Sequence, residues 1–283
     1  MRPARTMRLF ASIALVVTLA AAGAGCKTTS STDTTGSIAM PTGPRSDADW
    51  RHDVDTYGAR YRANNQDVEA AMRYAVALRH IGQRNQAVAV LEQAAMLNPK
   101  NRAVLGAYGR ALADAGNYPQ AFETLNRAHS PDQPDWRILS VQGAVLDQMG
   151  RAEEARQYYE SALRLAPDEP SVLSNLGLSY ALAKDLPRAE ETLKRAIGRE
   201  GADGRVRQNL ALVVGLQGRF EEAEKIARAD LPPDEAAANV AYLKQMLAQP
   251  DSWKKLARPA VASPNVQGGR QRRPPASTDQ AAR

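Results

Sequence analysis

Large apolar residues recur along the middle of the chain three and four positions apart, and the pattern itself returns every 34 residues. With rows begun at Val68, Arg102, Trp136, Pro170 and Gly204, column 20 reads Ala87, Ala121, Ala155, Ala189 and Ala223. Column 8 reads Ala75, Gly109, Gly143, Gly177 and Ala211, and column 24 reads Leu91, Leu125, Tyr159, Leu193 and Ala227. Column 27 reads Ala94, Ala128, Ala162 and Ala196 before departing at Asp230. Each row carries two amphipathic segments, such as Val172 to Ala183 and Arg188 to Ile197, which predicts a pair of helices per row. Small residues in columns 8 and 20 let the paired helices approach closely, and anything larger would push them apart. Gly82, Gly116, Gly150 and Gly218 stand where the first helix must stop, a position suited to a left-handed cap, while Pro99 and Pro167 end second helices. Lys184 breaks the glycine column, so a strained or differently shaped turn is expected there.

The columns resemble those of the tetratricopeptide repeat (TPR). The resemblance implies an all-α, right-handed superhelix of about five helix-turn-helix repeats, at 68–101, 102–135, 136–169, 170–203 and 204–233. A solenoid exposes apolar faces unless its ends are covered. Residues 50–63, "WRHDVDTYGARYRA", fall in the second-helix register of a row lacking its first half and are expected to cap the Val68 row. At the other end, 234–257 are expected to form a cap, with a helix from Asp234 to Leu247 behind Pro232 and Pro233, Asp234 as its N-cap, and Trp253 against it.

Outside this body, 49–257, the composition changes. Arg2, Arg5 and Arg8 precede an uncharged run from Leu9 to Ala24, too short for the roughly 20 residues of a membrane span, so 1–25 read as a signal peptide. Cys26, the one cysteine of the 283 residues, follows "GAG" at the edge of that run. The stretch resembles a bacterial lipobox, with Ala24 and Gly25 suited to the cut and Gly23 where the usual motif has Leu. The resemblance implies cleavage before Cys26 and lipidation of its thiol, and acyl chains hold to a bilayer at about 0.8 kcal/mol per buried methylene. Ordinary cleavage after Ala24, leaving Cys26 a free thiol, is the other reading. Thr28, second after the cysteine, points by resemblance to the outer membrane, with the body facing the periplasm. Residues 26–48 read as a Ser/Thr/Gly/Pro tether and 258–283 as a disordered basic tail.

The formal charge of +6 belongs mostly to these flanks: three arginines lie in the signal and five in the tail, whereas 50–257 hold 27 basic and 27 acidic residues. A neutral body argues against a nucleic-acid partner, which needs positive charge on the folded surface. Arg270, Arg272 and Arg273 are read either as contacts to anionic lipid or peptidoglycan or as a solubilising tail.

Candidate chemistry is sparse. His52, His80 and His129 lie in different rows with no cysteine near, Ser179 lacks the strand-turn-helix setting of a nucleophile elbow, and no Gly-rich phosphate loop follows a strand. Glu153-Glu154, Glu190-Glu191 and Glu221-Glu222 begin second helices, where the dipole favours them. The expectation is no catalytic residue, metal, cofactor or small-molecule substrate, and a protein partner instead. In first helices, columns 2, 5, 9, 12 and 13 lie opposite the packing columns, and in TPR proteins that face lines the concave groove. Along it the early rows present Arg79, His80, Arg110, Asp114, Arg137 and Asp147, and the later rows Leu178, Leu182, Leu212 and Leu216. The leucines are either an apolar peptide-binding patch or a surface covered by the C-terminal cap. The TPR clamp for a C-terminal carboxylate needs Lys and Asn in columns 5 and 9, where the first row has Met72 and Val76.

One further stretch, "DLPPDEAAANVAYLKQML" at 230–247, taken with the lipobox-like start and the repeats, resembles the TadD family, the TPR lipoproteins of the tight-adherence (Flp) pilus system of Gram-negative bacteria. That resemblance implies a periplasm-facing outer-membrane lipoprotein that helps the secretin assemble or localise. A TPR lipoprotein scaffolding peptidoglycan enzymes or outer-membrane protein insertion is the alternative.

Overall fold

The computed structural model describes residues 45–249. The signal peptide, Cys26, nearly all of the tether, Trp253 and the basic tail lie outside the described residues. Twelve α-helices and no strand make up the described residues: α1 (Asp47–Ala63), α2 (Val68–His80), α3 (Arg84–Leu97), α4 (Arg102–Asp114), α5 (Tyr118–Asn126), α6 (Trp136–Gln148), α7 (Ala152–Leu165), α8 (Pro170–Leu182), α9 (Leu186–Ile197), α10 (Gly204–Leu216), α11 (Phe220–Ala227) and α12 (Pro233–Leu247). The five row starts are the first residues of α2, α4, α6, α8 and α10. Each of these helices is entered through an acidic or amide side chain 34 residues from the next, Asp67, Asn101, Asp135, Glu169 and Asp203, which accepts a backbone N–H of the first turn. That column of N-caps fixes the phase of every row.

Within a row, the missing side chain of column 8 is filled from column 24. A Cβ on Gly109 would lie 2.5 Å from Leu125 Cγ, on Gly143 2.6 Å from Tyr159 Cε1, and on Gly177 2.7 Å from Leu193 Cγ. All five column-20 alanines are fully buried, and the carbonyls of Ala121 and Ala189 lie against Gly109 and Gly177. The last row has Ala211 facing a column-24 alanine, and its close contact moves to Gly215, beside Leu243 of α12.

The turns inside rows carry Gly82, Gly116, Gly150 and Gly218 at φ between 76 and 85°. Lys184 takes the same conformation at φ 65°. Its turn is not differently shaped: Asp185 N donates to Tyr180 O at 2.9 Å, as Arg151 N does to Leu146 O. A left-handed lysine costs about 1 to 2 kcal/mol, which the packing of α8 on α9 outweighs.

Both caps differ at their starts from the expected boundaries. α1 begins at Asp47 because Ser46 and Asp49 form a reciprocal capping box, so the last two residues assigned to the tether are helical. α12 begins at Pro233 with Pro232 as N-cap; Asp234 is inside the first turn and makes no capping bond. Proline at the first helical position is pre-set for the helix and has no N–H to satisfy, and Asp234 acts through the dipole instead.

One buried carboxylate ties the fourth row to the fifth. Burial works to raise the Glu190 carboxyl, but hydrogen bonds from Lys194, Gln217 and Arg219 outweigh it and hold the group at about 2.

Two outcomes follow for stability. Gly143→Ala should gain about 1 kcal/mol of helix propensity but lose about 1 to 3 kcal/mol by overpacking against the buried Tyr159 ring, a net destabilisation that a lowered thermal midpoint would register. Glu190 has a depressed pKa, so its contribution is complete above its unfolded value of 4.5 and fades as pH falls toward 2. Glu190→Gln should therefore cost about 1 to 3 kcal/mol at pH 7 and little at pH 2, measured as the difference from the parent in urea.

Candidate functional site: the groove of the first helices

The direction of curvature is set by which helices touch across rows. α2 packs on α4, α4 on α6, α6 on α8, α8 on α10 and α10 on α12, whereas no second helix packs comparably on another. Rows are therefore closer together on the first-helix side, which is the concave face. Polar pairs reinforce that side: Asn175 donates to Ser140 Oγ at 3.1 Å, Asn209 to Ser174 Oγ at 2.9 Å, and Arg79 of α2 pairs with Asp114 of α4.

In the early rows the groove holds a cavity of about 540 Å³. Arg79, Arg84, Arg110 and Asp114 contribute its charge, and Val141, Ala144 and Val145 of α6 supply an apolar wall. Arg79 and Asp114 satisfy each other. Arg110 and Arg84 make no hydrogen bond or ion pair with the described residues. Burial pushes the Arg110 guanidinium below its ordinary range; the cations of Arg79 and Arg137 push the same way and Asp135 and Asp114 oppose them.

The other residues expected in the groove divide. His80 is stacked under Trp50 of the N-terminal cap, ring centroids 3.7 Å apart, with Arg45 on the same indole, and burial followed by the fields of Arg79 and Arg45 lowers its pKa. Arg137 lies over Trp136 at 4.4 Å. Asp147 turns inward: its two oxygens accept from Ser179 Oγ at 2.8 Å and Tyr159 Oη at 2.9 Å, so it joins α6, α7 and α8. Burial pushes its carboxyl up, and the two hydroxyl bonds only partly offset this. Among the leucines, Leu178, Leu212 and Leu216 are half-buried and Leu182 is 37% exposed. Leu212 borders an apolar cavity of about 270 Å³ between α10 and α12, with Val240, Tyr242 and Met246 on the cap side; the cap flanks this leucine without closing over it.

The sequence reading missed Arg84 and Gln148 in the early cavity, and a polar cavity of about 450 Å³ farther along, lined by Ser174, Asn175, Arg205 and Asn209. A signal for the second existed: Asn175 and Asn209 share column 6, and Ser140 and Ser174 share column 5. Among the described residues, no group of three or more His, Cys, Asp or Glu side chains is arranged to hold a metal ion, and no helix is long and apolar enough to cross a membrane.

A curved stack of helix pairs with this column chemistry and a groove of first helices is the tetratricopeptide-repeat fold. Two family models described as tetratricopeptide repeat match residues 78–144 and 141–206. Among solved structures, a thermophilic TPR protein of Thermus thermophilus superposes with a TM-score of 0.55 at 24% identity, over 63% of this chain and 99% of that one. PilW, described as a widely conserved type IV pilus biogenesis factor, superposes with a TM-score of 0.52 at 17% identity, over 74% of this chain and 91% of that one. BBSome complex member BBS4 of Bos taurus is 24% identical over 132 residues, 47% of this chain and 25% of that protein. The chain spans between 10% and 60% of the length of the curated relatives it matches.

The raised pKa of Asp147 fixes the sign of its pH effect. Its charged form opposes folding, so that cost is absent below the unfolded value of 3.8 and grows as pH rises through the higher folded value. Asp147→Asn, which cannot ionise, should gain stability relative to the parent between pH 4 and pH 7. A difference between the two thermal midpoints that stays constant over that range would mean the carboxylate is not desolvated.

Proposed function

We propose that the chain is a lipid-anchored periplasmic scaffold whose concave groove binds a protein partner, and that in the tight-adherence (Flp) pilus system this partner is the secretin, whose assembly or localisation it aids. The observation that carries the binding role is the groove itself: a cavity of about 540 Å³ bearing a half-buried arginine, Arg110, that makes no hydrogen bond or ion pair with the described residues. A guanidinium so placed has N–H groups free to take a partner's carboxylate. Support for the cellular setting comes from the leader and Cys26, and for the pilus system from the 230–247 segment, most of which is the cap helix α12. PilW, itself described as a pilus biogenesis factor, is built on the same fold, so the architecture suits such a task.

Two measurements test the two halves of this reading. Fractionation of cells carrying the full chain should find the parent in the outer membrane and Cys26→Ser unprocessed or released; a variant that stays in the outer-membrane fraction like the parent removes the anchor. In a pull-down with the periplasmic domain of the co-encoded secretin, Leu178→Asp combined with Leu212→Asp should weaken capture chiefly through faster dissociation, because a bound apolar segment would then bury unpaired charges. Undiminished capture by these two substitutions combined with Arg110→Glu, with helicity intact by circular dichroism, would move the site off the groove.

A further inference from the structure

Resting on the reading of the groove as a protein-binding face, we infer that the cavity between α2, α4 and α6 receives an acidic side chain of an extended partner segment, with Arg110 as its carboxylate contact. Arginines elsewhere in the described residues mostly have partners: Arg60 with Asp67, Arg79 with Asp114, Arg207 with Asp230, Arg219 with Glu190 and Glu222. Of those that lack one, Arg51, Arg62 and Arg84 are exposed and Arg137 lies over the Trp136 ring. Arg110 is different, because it is half-buried, lines the cavity, remains charged at any ordinary pH, and pairs with neither of its near carboxylates. Asp114 is taken by Arg79, and Asp135 caps α6 with one oxygen, through the backbone N–H of Arg137, while its other oxygen is buried without a partner. Counting Arg79, Arg84, Arg110 and Arg137 against Asp114 and Asp135 leaves an excess of two positive charges about the cavity.

Geometry narrows the ligand. A planar guanidinium with free N–H groups matches a carboxylate in a bidentate arrangement. The wall of Val141, Ala144 and Val145 offers nothing to a small inorganic anion but fits an apolar side chain next to the acidic one. The volume lies in the range that takes a few residues rather than a single ion. The occupant is therefore a protein segment in which an Asp or Glu neighbours a small apolar residue.

The test compares two labelled, end-blocked dodecapeptides on the full chain by fluorescence anisotropy, one alternating Asp and Val, the other its twin with Asn for Asp. The acidic peptide should bind at least about tenfold more tightly than the twin, and rising salt should narrow the gap. Arg110→Gln should lose about tenfold in affinity for the acidic peptide alone, while Arg110→Lys keeps part of it and Arg51→Gln, on the exposed face of α1, keeps all. Arg84→Gln, at an exposed position where folding is not at stake, should lose about two- to threefold. Equal affinity for both peptides, absence of binding by either, an unaffected Arg110→Gln, or complete displacement by millimolar inorganic phosphate would each overturn the assignment. Secretin capture together with equal peptide affinities would end this inference and leave the scaffold reading; a clear acidic preference without secretin capture would do the reverse.

Discussion

Everything in this molecule depends on how near two paired helices can come. Column 8 has no side chain beyond Cβ, and in the three middle rows not even that, so the leucines and tyrosine of column 24 sit where a Cβ would otherwise be. Burying such a side chain contributes about 1.5 to 3 kcal/mol, and the contact repeats along the chain because the residues repeat. Helix propensity would favour alanine over glycine at those positions by about 1 kcal/mol each. Packing wins, and the row becomes a rigid unit that can only stack on its neighbours.

Stacking then decides what is available to a partner. Because first helices touch across rows and second helices do not, the first helices line the inside of the curve. Their outward columns must both join rows and face the groove, and the two demands compete for the same polar groups. Asp147 is spent on joining, through Ser179 and Tyr159, and Asp114 through Arg79. Arg110, one column set over, is left to the groove.

The pairing of helices was readable in the sequence to the residue, since the row starts and the first residues of α2, α4, α6, α8 and α10 coincide. Periodicity carries that information because one steric rule is obeyed five times. The same repetition held the N-cap column at Asp67, Asn101, Asp135, Glu169 and Asp203, although only the structure drew notice to it. Single events were harder. The turn at Lys184 looked aberrant by residue type, yet a few hydrogen bonds and the helix packing impose the common shape on it. The groove was readable as a face but not as a site. Helical spacing assigns Asp147, His80 and Arg110 to one side, but whether a neighbour claims each of them depends on contacts 12 to 35 residues away that no column records.

Charge shows why that distinction matters for function. A body with 27 basic and 27 acidic residues has no overall field, so any selectivity must come from local imbalance. Most of its arginines are satisfied at the surface, where an ion pair contributes about 1 kcal/mol at best. At Arg110 the imbalance lies in a concave, partly apolar cavity, where a partner's charge is felt more strongly than on an open surface. Local inconsistency of this kind, a half-buried cation set among other cations, works against stability. In a chain whose other interactions agree so closely from row to row, such a cation is the kind of group that the proposed partner would pair.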